Sequence, residues 1–137
     1  MKNILIVCTA NKTRSVMAME AANRIAAKSG ADCRFSSAGI AVMGSRADNT
    51  AKKILSEAGI ETAHTPVSVS DLDLSVFDEI HVMTERQKTA LCSYYNSEEL
   101  EDKIRVLDIE DPYGKGETAY NDCLDRFKEI YEKYING

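Results

Sequence analysis

No stretch of the chain approaches the roughly 20 consecutive apolar residues that a membrane-spanning helix needs. There is also no excess of positive charge. Lys and Arg number 17 against 22 Asp and Glu, a net charge of −5, so the basic footprint of a nucleic-acid binder is missing. The four cysteines, Cys8, Cys33, Cys92 and Cys123, are scattered, and no C-x-x-C pair occurs. That spacing speaks against a zinc site and against a thioredoxin-type redox motif. The first residues carry one Lys and a short apolar run with no small-residue cleavage site, which reads as a first strand and not as a signal peptide. These absences lead us to expect a cytoplasmic protein with free thiols, no membrane contact and no nucleic-acid partner. No linker, repeat or low-complexity segment divides the chain, and 137 residues suit one domain spanning 1–137.

What is present alternates between strand and helix. Asn3 to Cys8 is a continuous apolar run, as expected of a strand buried on both faces. From Arg14 to about Lys28, Met17, Ala18, Ala21, Ile25 and Ala26 recur at helical spacing before Gly30. Further strands are expected over Arg34–Ala38, Glu79–Met83 and Lys103–Leu107. Further helices are expected near Asp48–Ala58, Glu85–Tyr95 and Glu117–Tyr134. The last carries Tyr120, Cys123, Leu124, Phe127, Tyr131 and Tyr134 on one stripe. Such alternation predicts an α/β fold with a parallel sheet covered by helices on both faces. Ligands of such sheets bind at the carboxyl ends of the strands, and Cys8 stands at one.

Between Cys8 and Arg14 lie five residues, Thr9, Ala10, Asn11, Lys12 and Thr13, and Ser15 follows. A nucleophile and a fixed cation thus flank a loop that leaves a strand and enters a helix. Backbone N–H groups in such a loop converge on an oxyanion, and the helix N-terminus adds positive potential. That setting favours the thiolate form of Cys8. Phosphoryl transfer asks for charge stabilisation and in-line positioning more than for bond-making groups. Arg14 offers a planar fork to two phosphate oxygens, Ser15 can donate to the sulfur, and Asn11 can bridge backbone groups of the loop. Taken alone, the same residues also read as a buried thiol at a strand end and a solvated Arg.

A second constellation, Asp108-Ile109-Glu110-Asp111-Pro112-Tyr113-Gly114, lies ahead of the last helix. Cleavage of a phosphate ester by a thiolate needs a proton for the leaving oxygen and later a base for water, and one carboxyl can do both. Pro112 holds Asp111 in an extended, stiff loop. Glu110 and Asp108 are neighbouring like charges expected to favour its protonated form. Tyr113 is placed to form an aromatic wall beside a substrate ring. Ordinary turn chemistry is the alternative reading of this segment.

Cys8-Thr9-Ala10-Asn11-Lys12-Thr13-Arg14-Ser15 and Asp111-Pro112-Tyr113-Gly114 resemble the signature loop and acid loop of the low-molecular-weight protein tyrosine phosphatases. Ser36-Ser37-Ala38-Gly39, Gly59-Ile60-Glu61-Thr62-Ala63-His64 and Glu117-Thr118-Ala119-Tyr120-Asn121-Asp122-Cys123 resemble further family segments in the same order. The resemblance implies a three-layer α/β/α domain with a four-stranded parallel sheet. It implies Cys8 as nucleophile, Arg14 as phosphate binder and Asp111 as acid and then base. Asn11, Ser37 and His64 would form a network beneath the loop. The substrate would be phosphotyrosine in proteins or a small aryl phosphate, and the product inorganic phosphate. No metal or other cofactor is implied, and a monomer is expected.

The departures from the family loop, which usually reads C-x-G-N-x-C-R-S-P, are specific. Its Gly is Ala10, its second Cys is Thr13 and its Pro is Val16. Gly in such loops often serves a positive φ or a close backbone approach, so Ala10 is expected to strain the loop or move an amide. Thr13 removes the thiol that family members use to trap an oxidised nucleophile. Lys12 takes a position that is usually small or apolar, and some bacterial relatives that act on phosphoarginine carry Thr there. Lys12 at the mouth is expected to disfavour phosphoarginine and to favour aryl phosphates or acidic flanks. Three rival functions stand beside the phosphotyrosine phosphatase. One is a protein-arginine phosphatase, and another is an arsenate reductase, against which the cysteine count speaks. The third is a phosphate-binding or carrier module, against which Asp111 speaks.

Overall fold

A computed structural model describes the whole chain, Met1–Gly137. Four strands, β1 (Lys2–Cys8), β2 (Cys33–Gly39), β3 (Glu79–Val82) and β4 (Ile104–Val106), form one parallel sheet in the order β2-β1-β3-β4. The helices are α1 (Arg14–Ser29), α2 (Asn49–Glu57), α3 (Glu85–Tyr95), α4 (Glu98–Asp102) and α5 (Glu117–Asn136). Two 3-10 turns, Val69–Asp71 and Leu74–Val76, lead into β3. The expected strands and long helices are all present, with ends shifted by a residue or two. Helix α4 and the 3-10 turns add to the expected pattern. No helix is long and apolar enough to cross a membrane.

Alternation along β1 builds two cores. Ile4, Ile6 and Cys8 pack against Met17, Ala18 and Ala21 of α1, Ile54 and Leu55 of α2, and Leu124, Phe127 and Tyr131 of α5. Leu5 and Val7 point the other way, with Ile80, Val82, Leu91 of α3 and Leu100 of α4. Both faces of the central strand are thus dry, as the unbroken apolar run requires.

Local signals set the element ends. Helix α1 stops at Gly30, which takes the left-handed conformation (φ 64°) and donates to the carbonyls of Ala26 and Ala27. Helix α3 begins with a capping box between Thr84 and Gln87. On strand β2, the side-chain amide of Asn23 donates to the carbonyl of Phe35 (2.9 Å) and accepts from its N–H (3.0 Å). A further polar cluster lies at the start of β3. His81 bonds Tyr131 Oη and Glu79 through its two ring nitrogens, and Glu79 also takes Tyr134 Oη, Lys2 and Arg105. Burial alone would raise the Glu79 carboxyl, but His81, Lys2, Tyr134 and Arg105 together hold it down at about 2.

Candidate active site

Strand β1 ends at Cys8, and the chain turns through residues 9–13 into α1. Cys8, Asn11, Thr13, Arg14 and Ser15 are all buried. Cys8 lies beside Gly39, the last residue of β2, in the parallel register. A Cβ at Gly39 would stand 2.7 Å from the Thr9 carbonyl oxygen and 2.9 Å from the Asn11 nitrogen, closer than packing allows. Only glycine lets the loop settle on this strand end.

Asn11 is the hub of the loop. Its φ of 56° is left-handed, a conformation Asn tolerates better than most residues. Its Nδ2 donates to Ser15 Oγ (2.7 Å) and Ser37 Oγ (3.0 Å). Its Oδ1 accepts from the N–H of Val67 (2.8 Å) and from His64 Nε2 (2.8 Å), which also lies 3.3 Å from Ser37 Oγ. All four bonding positions of the amide are therefore filled. Because Oδ1 can only accept, His64 carries its proton on Nε2. Burial lowers the His64 pKa, with Glu20 opposing weakly, so the imidazole is held neutral. Ala10, in contrast, lies outside the left-handed region. No positive-φ strain falls on Ala10, because the residue that takes the unusual backbone is Asn11.

Two donors converge on the sulfur. Ser15 Oγ lies 3.0 Å from Cys8 Sγ and already accepts from Asn11, which leaves its own proton for the sulfur. The N–H of Asn11 donates to the same atom at 3.3 Å. Both donors point at the atom that would attack phosphorus, beside the N-terminus of α1. Thr13, the N-cap of α1, makes no side-chain bond to the first turn. Its hydroxyl donates instead to Asp48 Oδ2 (2.9 Å).

Asp48 joins three elements. Its Oδ1 caps α2 by accepting from the Thr50 N–H, and its Oδ2 takes both Thr13 and, at 2.5 Å, the hydroxyl of Tyr120 on α5. Burial raises the Tyr120 phenol and the Asp48 bond raises it further, keeping it a donor. On the other flank, Gln87 Nε2 donates to Thr9 Oγ1 (3.2 Å) while its Oε1 accepts from Met83 and Thr84 N–H. Neither Asp48 nor Gln87 stood among the expected site residues. Their links to the loop depend on the folded chain.

The loop floors a cavity of about 520 Å3, lined by Cys8, Arg14, Lys12, Arg46, Asp111 and Tyr113 among others. The expected nucleophile, cation, acid and pocket residues are thus brought to one place, and Asn11, Ser15, Ser37 and His64 lie behind them. Arg14 Nη1 donates to the Ile109 carbonyl (2.8 Å), which leaves its other N–H groups for a ligand. Asp111 is exposed, and its Oδ1 accepts from the Tyr113 N–H at 3.1 Å. Beside it, Glu110 has a cationic partner of its own. Its side chain bonds to Lys115, which lowers the Glu110 pKa. Cys33 opens β2 and Cys92 lies on α3, both half-buried, while burial pushes the Cys123 thiol up to about 12.

A parallel α/β/α domain with a buried Cys and Arg on one loop at a strand's carboxyl end defines a class of phosphate-binding, cysteine-based sites. The family model described as low molecular weight phosphotyrosine protein phosphatase matches residues 3–136, and the chain belongs to this family. A low molecular weight phosphotyrosine protein phosphatase of Schizosaccharomyces pombe is 26% identical, with 98% of this chain and 95% of the relative covered. Among solved structures, a low molecular weight protein tyrosine phosphatase from T. tengcongensis is 29% identical with a TM-score of 0.91, covering 99% of each chain. The YwlE arginine phosphatase from Geobacillus stearothermophilus is 27% identical with a TM-score of 0.89, covering 99% of this chain and 92% of its own.

Proposed function

We propose that the chain, acting through a single domain over residues 1–137, is a cysteine-dependent phosphatase that hydrolyses phosphotyrosine in proteins and small aryl phosphates. The observation that carries the reading is the cavity that Cys8, Arg14 and Asp111 share. Cys8 Sγ attacks phosphorus in line with the ester oxygen, so the S–P bond forms as the P–O bond breaks. The Arg14 fork and the loop amides hold the equatorial oxygens. Asp111 gives its proton to the departing phenolic oxygen. As carboxylate it then takes a proton from water, which attacks the phosphocysteine, and inorganic phosphate leaves as the thiolate returns. Arg14 and the amides supply the charge stabilisation, so the scheme calls for no metal.

The arginine phosphatase from Geobacillus stearothermophilus, 27% identical, supports a second substrate, phosphoarginine. Lys12 and Arg46 in the cavity lining weigh against it, because a guanidinium leaving group would meet two cations. Cys8 is the sole cysteine of that lining, which gives an arsenate reductase no adjacent thiol for its disulfide relay. Asp111 in the cavity favours turnover over phosphate carriage. Four free thiols fit a reducing cytoplasm, and a monomer suffices for the mechanism.

The test compares hydrolysis of p-nitrophenyl phosphate, a phosphotyrosine peptide and a phosphoarginine peptide by wild type, Cys8→Ser and Asp111→Asn. We expect no turnover by Cys8→Ser and a loss of about 10²–10⁴-fold in Asp111→Asn on the tyrosine peptide. Equal rates in wild type and Cys8→Ser would refute the mechanism. Faster turnover of phosphoarginine would move the substrate to the second reading.

A further inference from the structure

Arg14 serves the reacting phosphate, yet two further cations line the same cavity. Lys12 is half-buried in the loop, and Arg46 is exposed at the mouth. Neither takes part in any of the ion pairs of the molecule, which involve Lys2, Lys53, His81, Arg105, Lys115, Arg126 and the N-terminus. The two carboxylates of the lining make no ion pair with either cation: Asp48 accepts from Thr13, Thr50 and Tyr120, and Asp111 accepts from the Tyr113 N–H.

The two cations share one rim. The Lys12 carbonyl accepts from the Asp48 N–H (3.0 Å), which fastens the loop to the segment that carries Arg46. The Lys12 ammonium lies over Gly44, where an added Cβ would stand 3.1 Å from Nζ. The ammonium thus lies close to the backbone two residues ahead of Arg46. On a chain of net charge −5, the cavity lining carries three cations, Lys12, Arg14 and Arg46, against the two carboxylates of Asp48 and Asp111.

We propose that Lys12 and Arg46 form a second anion subsite, which takes the carboxylate of a residue flanking the phosphorylated one. The substrate class is then an acidic phosphopeptide segment. This rests on the phosphatase reading and adds a specificity determinant to it. Lys12 reaches the anion from the loop side and Arg46 from the solvent side, so the phosphoryl group stays with Arg14 while the flank is read at the rim. Exposed ion pairs are individually modest and are screened by salt, so each cation should contribute about threefold and the two together about tenfold, in a salt-sensitive way.

The test uses three phosphotyrosine peptides that differ only in flanking Glu, Gln or Lys, with kcat/KM measured for wild type, Lys12→Met, Arg46→Gln and Arg46→Glu. Wild type should favour Glu over Gln by about tenfold at low salt, chiefly through KM, and lose most of this near about 1 M NaCl. Lys12→Met and Arg46→Gln should each cut the ratio by about threefold, and Arg46→Glu should bring it to about one or below. Each ratio is taken within one enzyme, so a general loss of rate in a variant does not move it. A wild-type ratio of one, or a ratio unchanged in Arg46→Gln and Arg46→Glu, would overturn the subsite. Hydrolysis of p-nitrophenyl phosphate by wild type separates the two claims. Turnover with no flank preference sinks the subsite alone, and no turnover of any substrate sinks the phosphatase reading beneath it.

Discussion

Arg14 Nη1 donates to the main-chain carbonyl of Ile109 across 2.8 Å, two residues ahead of Asp111. The cation of the phosphate loop is thereby anchored from behind by the backbone of the acid loop. Lys at this position would keep the charge but lose both the anchor and the planar fork. Arg14→Lys should lower kcat/KM for an aryl phosphate by about 10²–10³-fold. Steady-state kinetics would check this, and more than a tenth of wild-type activity would show that the fork is dispensable.

Asn11→Ala removes four side-chain bonds, takes the acceptor from the half-buried Val67 N–H and leaves His64 Nε2–H with only Ser37 Oγ, 3.3 Å away. It also places Ala at a φ of 56°. We expect a loss of about 3–5 kcal/mol, against about 1 kcal/mol for Ser37→Ala, which strands less. Urea unfolding of both variants is the measurement. A loss under about 1 kcal/mol in Asn11→Ala would show that the hub carries no weight.

Both histidines are held neutral by burial, His64 in the loop support and His81 beside Glu79, with Glu79 pulling His81 back toward its ordinary value. Their folded pKa values lie below the unfolded ones, so the unfolded chain binds more protons as pH falls. Stability should therefore be constant above pH about 7 and decline below pH about 6.5, by at most about 1.4 kcal/mol per pH unit for each histidine. Glu79 adds a separate loss as pH falls from 4.5 toward about 2. Urea midpoints from pH 8 to pH 5 would test the histidine part, with His64→Gln showing a shallower slope. Equal midpoints at pH 7 and pH 5 would contradict it.

Thr13 stands where the family loop has its second thiol, and its hydroxyl is committed to Asp48. Once peroxide has turned Cys8 into a sulfenic acid, no loop thiol can condense with it, and oxidation proceeds to the sulfinic acid. Dithiothreitol should then restore little activity after prolonged peroxide. Thr13→Cys should restore most of it, through a disulfide formed with loss of water. Full recovery of the wild type would refute this.

Much of this site was legible because its residues are close in sequence. Cys8 to Ser15 are contiguous, and the apolar run before them already implied a buried strand with a loop at its end. Asp111-Pro112 was readable for the same reason. Helix α4 was not, because Glu98–Asp102 offers one buried apolar residue, Leu100, and so no period. The clamp on Asp48 was also hidden. Its partners lie 35 and 72 residues away, and the Arg14–Ile109 pair spans 95. Ala10 misled for a related reason, since the family's Gly suggested a backbone need that the fold places on Asn11. Arg46 sits in a stretch with no periodic signal, so its approach to Lys12 appears only when the segments meet.

The amide of Asn23, bonded to both backbone groups of Phe35, has a consequence beyond local packing. Strand β2 borders the sheet, and its outward N–H and C=O groups are a template on which a strand of another molecule could add. Asn23 occupies that template at its middle, and the Val67 carbonyl takes the Gly39 N–H near its end. At the opposite border β4 is only three residues long. One border is thus partly covered and the other is short, and Asn23→Ala should expose the middle of β2 to strand addition.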